Sequence, residues 1–246
     1  MQIITTAIIK GGTGKSTTAA ALVQAAVKKR KRVLAIDLDP QANLSEMLDG
    51  DTDAAGSYDI LHGTKAADVI QHTKQGADVI TASSDLATEK TSGGSAKRLE
   101  QAIEPLKGNY DFIFIDTPPQ MGELTYNALQ ASTGLLIPLE ADISSINGLY
   151  QVAEIAAEMR KRTATNLSII GVLITRYRSR AKINQYMEGE IVKAAKEINA
   201  PYLGAVRDGI AIREAQSLRK SVFEYAPKSN PAQDYMKLFE KIQRRK

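Results

Sequence analysis

Between residues 10 and 18 the sequence reads Lys10-Gly11-Gly12-Thr13-Gly14-Lys15-Ser16-Thr17-Thr18. Glycines at this density permit backbone conformations that a Cβ forbids, so successive N–H groups can converge on an anion. An apolar, β-rich run from Ile3 to Ile9 precedes the loop, and an Ala-rich run from Ala19 to Val27 follows it. Strand, glycine loop, helix is the order of a phosphate cradle. The helix opening at Ser16 contributes its unpaired N–H groups and the positive end of its dipole. Lys15 is placed to reach the β- and γ-phosphates of a nucleotide, and the Ser16 hydroxyl to sit on Mg²⁺. The general phosphate-loop spacing asks for Gly five residues before Gly14, where Ile9 stands, and an extra lysine, Lys10, heads the loop instead. Read alone, the stretch also fits a flexible turn with a solvated lysine.

Two carboxylate motifs narrow the choice. Val33-Leu34-Ala35-Ile36-Asp37 reads as a buried strand, followed by Leu38-Asp39-Pro40-Gln41, with Pro40 stopping the strand and fixing the turn. Carboxylates at the C-terminal end of a parallel strand lie where such folds bind ligands. Tyr110 to Ile115 is a second apolar strand, which delivers Asp116 to the sheet's edge before Thr117-Pro118-Pro119. An aspartate there can hold Mg²⁺ through a water. The loop Gln120-Met121-Gly122-Glu123 has a glycine and no β-branched residue, so it can move when a γ-phosphate leaves. Either Asp37 or Asp39 in isolation also fits a helix cap. Beside a phosphate loop, the ligand reading is the stronger.

The elements that must position these groups alternate along the chain: helix Ser16 to about Lys29, short strand Asp78–Ala82, helix Lys97–Leu106, strand Gly134–Leu139, helix Ser144–Arg162, strand Ser168–Thr175 and helix Asn184–Ile198. That alternation predicts an α/β fold, a doubly wound and mostly parallel sheet flanked by helices, in a single domain over residues 1–246. Residues 49–64 read as a surface excursion, residues 91–95 as a flexible loop, and the segment around Val206 as a turn. Tyr235, Leu238, Phe239 and Ile242 recur at helical spacing and read as core packing of a last helix.

At 246 residues, 43% hydrophobic and 24% charged, the chain has the composition of a soluble globular protein. It has no apolar run long enough to cross a membrane and no basic leader at Met1-Gln2. It has no cysteine, which excludes disulfides and thiolate metal sites and suits a reducing cytoplasm. The two histidines, His62 and His72, share no ligand spacing with carboxylates and read as surface residues. The net charge of +4 permits a polyanionic partner. Positive charge gathers late, at Arg176, Arg178, Arg180 and Lys182, and again at Arg207, Arg213, Arg219 and Lys220. Each of these residues also fits a solvated face, but as clusters they read as a DNA-binding surface.

Taken together the three motifs resemble the ParA/MinD family of deviant phosphate-loop ATPases, and the pattern covers nearly the whole chain, weakening after Gly171. Asp37-Leu38-Asp39-Pro40-Gln41 resembles the ParA/Soj partition branch in particular. The loop's position at residue 10 resembles the short form, with no room for an N-terminal helix-turn-helix. The resemblance implies ATP and Mg²⁺ as cofactors and a weak basal ATPase. Lys10 is then the residue that reaches across a homodimer interface to the partner's ATP. Lys15 holds the β/γ-phosphates, Gly11, Gly12, Thr13 and Gly14 form the cradle, and Thr17 meets the α-phosphate. Asp39 positions the attacking water, with Asp37 in the Mg²⁺ shell and first switch and Asp116 reaching Mg²⁺ through water. Thr175, Arg176, Val206, Arg207 and Asp208 fall near the adenine.

The same resemblance implies an ATP-bound dimer that grips double-stranded DNA without regard to sequence and is released when a ParB-like activator stimulates hydrolysis. Such a protein segregates a plasmid or chromosome and is cytoplasmic and nucleoid-associated. The competing expectations are a MinD-like membrane-associated ATPase anchored by its last helix and a relative that positions another cargo. The sequence departs from the family at three places. Ile8-Ile9 replaces a polar pair before Lys10, the turn around Val206 lacks a proline, and Ala211 stands where a DNA-contacting arginine is common.

Overall fold

The computed structural model describes residues 1–89, 96–163 and 165–245. Its elements, in chain order, are β1 (Gln2–Thr6), α1 (Lys15–Lys28), β2 (Val33–Asp37), α2 (Asn43–Met47), α3 (Ser57–Leu61), α4 (Ala66–Val69), β3 (Gln71–His72), β4 (Asp78–Ile80) and α5 (Arg98–Ile103). They continue with β5 (Phe112–Asp116), α6 (Glu123–Ala131), β6 (Gly134–Leu139), α7 (Ile143–Thr163), β7 (Ser168–Tyr177), α8 (Lys182–Glu197), β8 (Tyr202–Arg207), α9 (Ile210–Ser217), α10 (Val222–Tyr225) and α11 (Asn230–Gln243).

Among the described residues, eight strands form one sheet in the order β3-β4-β2-β5-β1-β6-β7-β8, and every pairing is parallel except β3 with β4. Strand residues alternate between two apolar layers, as a two-residue period requires. Val33, Ala35, Phe112 and Phe114 face α1, α10 and α11. Leu34, Ile36, Ile113 and Ile115 face the opposite layer, with α3, α5 and α6. Helices on both faces make the doubly wound α/β architecture, as the alternation predicts. β1 lies between β5 and β6, so the chain departs to opposite sides of it, and the loops at its C-terminal end border a crevice where this architecture binds ligands.

The Ala-rich composition of α1 has a packing reason. Ala19, Ala20, Ala21, Ala25 and Ala26 are all buried, and the helix is covered by α2, α10 and α11 as well as by the sheet. Small side chains let so many elements approach one helix. The apolar stripe Tyr235, Leu238, Phe239 and Ile242 of α11 is buried against it, and Tyr235 Oη shares a 3.3 Å hydrogen bond with Thr18 Oγ1. Ile8, one of the family departures, is 1% exposed and packs against α7, where a Cβ on Gly148 would lie 3.2 Å from Ile8 Cγ1. Helix α7 comes so close there that a buried apolar residue fits the head of the loop.

Several elements differ from the expectations. The turn expected around Val206 is the end of the edge strand β8, whose mixed burial gave no clean strand pattern. The excursion at residues 49–64 includes α3, with Ile60 and Leu61 in the core. The loop around Gly122 leads directly into α6, and the short antiparallel β3 caps one sheet edge. The expected loop at residues 91–95 lies outside the described residues. Among the described residues, no helix is long and apolar enough to cross a membrane.

Candidate nucleotide-binding site

The loop leaves β1, and α1 starts at Lys15. Gly12 and Gly14 hold left-handed φ of 76° and 84°, which a side chain disfavours. Thr175 of β7 braces the loop from the side: its hydroxyl donates to Thr13 O at 2.8 Å, and a Cβ on Gly14 would meet Thr175 Cγ2 at 3.4 Å. Lys15 is 6% exposed and its Nζ donates to Lys10 O at 3.2 Å, so the ammonium lies under the loop. Burial lowers its pKa, and the charges of Asp116 and Asp39 oppose the shift. Lys10 is partly buried, and its Nζ meets Asp142 Oδ2 at 2.6 Å and Ser145 Oγ at 3.3 Å.

The two carboxylate motifs converge because β2 and β5 are neighbours in register. Asp37 pairs with Asp116 across that ladder, and Asp116 in turn pairs with Thr6 of β1. Asp116 is fully buried, accepts from Thr6 Oγ1 at 3.2 Å, and leaves Oδ2 without a partner among the described residues. Burial and then the Asp37 charge push its carboxyl up to about 8, against the pull of Ser16 and Lys15. A buried, unsatisfied carboxylate oxygen beside a lysine and a serine fits a group that a cation or its water completes.

Asp37 differs. Its Oδ1 accepts from Asp39 N at 3.0 Å, and its Oδ2 from Ser45 N at 2.9 Å and Ser45 Oγ at 2.8 Å. Burial pushes it to about 6 while these donors oppose the shift. Asp37 therefore braces the start of α2. Asp39, 7% exposed, accepts from Gln41 N at 3.0 Å, an Asx-type turn that holds it at the strand end.

Beside the loop is a cavity of about 630 Å³ lined by Gly14, Thr17, Thr175, Arg176, Val206, Arg207 and Asp208 among others. The five residues expected near an adenine thus border one space with the phosphate loop. Arg207 is forked onto Asp234 at 2.8 Å through both Nε and Nη2, which fixes that wall. Glu140, Asp142, Gln216 and Tyr235 also line the cavity, and sequence reasoning gave none of them a role there. They stand on loops and helices far along the chain, and no spacing links them to the loop at residue 10.

Of the expected DNA contacts, Arg178 and Arg180 lie between β7 and α8, Lys182 opens α8, and Arg213, Arg219 and Lys220 lie on or just after α9. All six are exposed. Arg178 and Arg213 share the cavity rim, whereas Arg219 sits at the far end of α9 beside Asp49. His62 and His72 are surface residues, as expected, with side chains 43% and 82% exposed, close to Glu89 and Asp78. No cluster of three or more His, Cys, Asp or Glu able to hold a metal occurs among the described residues.

Residues 1–169 match the model of an AAA-domain family. The chain is 33% identical to the sporulation initiation inhibitor protein Soj of Bacillus subtilis over 242 residues, covering 95% of this chain and 94% of that protein. It is 30% identical to the chromosome-partitioning ATPase Soj of Thermus thermophilus, covering 96% and 93%. Among solved structures, the septum site-determining protein MinD of Pyrococcus horikoshii, complexed with Mg-ADP, superposes with a TM-score of 0.83 at 27% identity, covering 99% and 96%. With the deviant loop, the paired aspartates and a similarity that spans almost the full length, the chain belongs to the ParA/MinD family of phosphate-loop ATPases, in its Soj/ParA branch.

Proposed function

We propose that this chain is a single-domain partition ATPase (residues 1–246) whose ATP-bound homodimer holds DNA non-specifically. The observation that carries the reading is the cavity beside Gly14 and Thr17, because its rim also bears Arg178 and Arg213. One space thus joins a nucleotide cradle to a basic surface.

The loop N–H groups and the Ser16–Thr17 turn bind the phosphates, and Lys15, buried and close to two aspartates, neutralises them. Ser16 and Asp116 would hold Mg²⁺ or its waters, with Asp37 fixing the shell from behind, and the ion would supply positive charge toward the phosphates. Asp39 orients the attacking water. Lys10 leaves Asp142 to reach the partner's phosphates. Ile143, Ile183 and Ile210 follow the cavity-lining Asp142, precede Asn184 and follow Gly209, and are 71%, 63% and 62% exposed. Apolar side chains so exposed around a polar cavity fit a face that a second copy covers.

Arg178, Arg180, Lys182, Arg213, Arg219 and Lys220 supply the phosphate contacts to DNA. Such contacts are blind to sequence and weaken steeply with salt. A ParB-like activator then completes the site, hydrolysis proceeds, and the dimer leaves the nucleoid. The burial of the α11 stripe favours this reading over a membrane anchor, since the apolar residues an anchor needs are spent on the core.

The test uses size-exclusion chromatography and co-sedimentation with plasmid DNA or anionic liposomes, each with ATP or ADP. Dimer formation and DNA retention with ATP alone, lost on raising salt, are the expected results. One assembly state in every nucleotide overturns the dimer, and retention on liposomes but not DNA overturns the partition reading.

A further inference from the structure

Helix α9 reaches the phosphate loop with the Gln216 side-chain amide. Gln216 Nε2 donates to Thr17 Oγ1 at 3.2 Å and lies 3.3 Å from Met47 Sδ at the end of α2. Arg213 is on the same helix, and Arg219 and Lys220 follow it. Around Gln216 the helix end is strapped to α2. Gln75 Nε2 donates to both Met47 O, at 2.8 Å, and Arg219 O, at 3.0 Å. The Arg219 guanidinium lies 3.4 Å from Asp49, and both residues hold left-handed φ, 50° and 61°. Each closes its helix in a left-handed cap, with Gly50 N–H on Ser45 O and Lys220 N–H on Ala215 O, so the two helix ends that the strap joins are themselves fixed. Because α2 hangs from Asp37 through Ser45, two routes from the nucleotide site end on α9: Thr17 directly, and Asp37 through α2.

A hydroxyl donates one hydrogen bond while accepting others. When Thr17 donates to a nucleotide phosphate it still accepts from Gln216, and each bond polarises the other. We infer that nucleotide at the loop tightens the Thr17–Gln216 contact and pins α9, making Gln216 the positioning residue through which nucleotide occupancy sets the grip of Arg213, Arg219 and Lys220 on DNA. Its functional end rests on the DNA-binding reading above, and its structural end does not. The family resemblance assigns Thr17 to the α-phosphate, which ADP also carries, so ADP pins the helix as well as ATP. The coupling is therefore visible without dimerisation.

Hydrogen exchange of the full chain, with no nucleotide, Mg-ADP or Mg-ATP, tests it. In the wild type, Mg-ADP is expected to slow exchange across residues 210–220 by at least about fivefold, the low end of ordinary coupling between sites. Gln216→Met keeps the length and the packing on Met47 but removes the donor. It is expected to lose that slowing while residues 11–18 remain protected by nucleotide, and Thr17→Ser, which keeps a hydroxyl, is expected to retain it. Equal slowing in wild type and Gln216→Met overturns the inference, as does a wild type whose loop is protected and whose α9 is not. In the DNA arm, Gln216→Met with ATP is expected to hold plasmid DNA at least about fivefold more weakly at low salt. Unchanged retention overturns the functional half. A wild type that shows the exchange effect but holds no DNA overturns the DNA reading while leaving the coupling standing.

Discussion

Lys10 Nζ and Asp142 Oδ2 are 2.6 Å apart, with Ser145 Oγ 3.3 Å from the same ammonium. Burial disfavours the Asp142 carboxylate, but hydrogen bonds from Lys10, the Ser144 hydroxyl and Ser145 N–H outweigh it and hold the carboxyl at about 2. The lysine proposed to cross a dimer interface is thus held within its own chain. Both partners are partly exposed, and exposed pairs contribute little, so the hold is one that ATP can overcome. Asp142→Asn is expected to lower the ATP concentration for half-maximal dimerisation by up to about fivefold. Lys10→Ala is expected to abolish the ATP-dependent dimer. Analytical ultracentrifugation across an ATP titration measures both, and a Lys10→Ala chain that dimerises normally removes the cross-interface role.

In the proposed mechanism Asp39 orients the attacking water and does not hold the nucleotide. Asp39→Ala is expected to slow phosphate release by about 100-fold or more while leaving binding of a fluorescent ATP analogue within a few-fold of wild type. Normal hydrolysis in this variant contradicts the assignment.

Asp37 and Asp116 set a pH dependence of stability with a definite sign. Their carboxyls ionise near 4 in the unfolded chain, and burial raises them to about 6 and about 8 in the folded one. Between those limits the folded chain keeps protons that the unfolded chain has lost, so their joint contribution to stability declines as pH rises from about 4 to about 8 and then levels off. In nucleotide-free, metal-free buffer, Asp116→Asn is therefore expected to melt above wild type by a margin that widens from pH 5 to pH 8. A margin independent of pH contradicts the burial argument.

Arg98 of α5 holds the base of α6, the helix that follows the mobile-loop candidate at Gln120–Gly122. Its guanidinium bonds Glu123 at 2.5 Å and also Glu89, whose side chains are 5% and 7% exposed. Removing a cation from two buried carboxylates costs far more than a surface pair does, so Arg98→Ala is expected to cost about 3 kcal/mol in urea unfolding. Arg98→Met combined with Glu123→Gln is expected to recover part of that loss. Equal losses in the two variants argue that packing, not charge, is responsible.

The phosphate loop, the two aspartate motifs and the alternating α/β order were legible in the sequence because each is a local property. Glycines at fixed spacing make a cradle wherever they fall between a strand and a helix, and apolar strands of period two announce a sheet. The same local logic gave the buried stripe of α11. The weak edge strand β8 escaped it, since its half-buried residues carry no clean alternation.

Tertiary structure alone decided who stands beside whom. Asp37 and Asp116 face each other because β5 inserts between β2 and β1, a strand order that no local pattern encodes. Asp142 reaches Lys10, and Gln216 reaches Thr17, across 132 and 199 residues of chain. Such contacts are set by how helices pack on a twisted sheet, and residue types along the chain do not determine that packing one segment at a time.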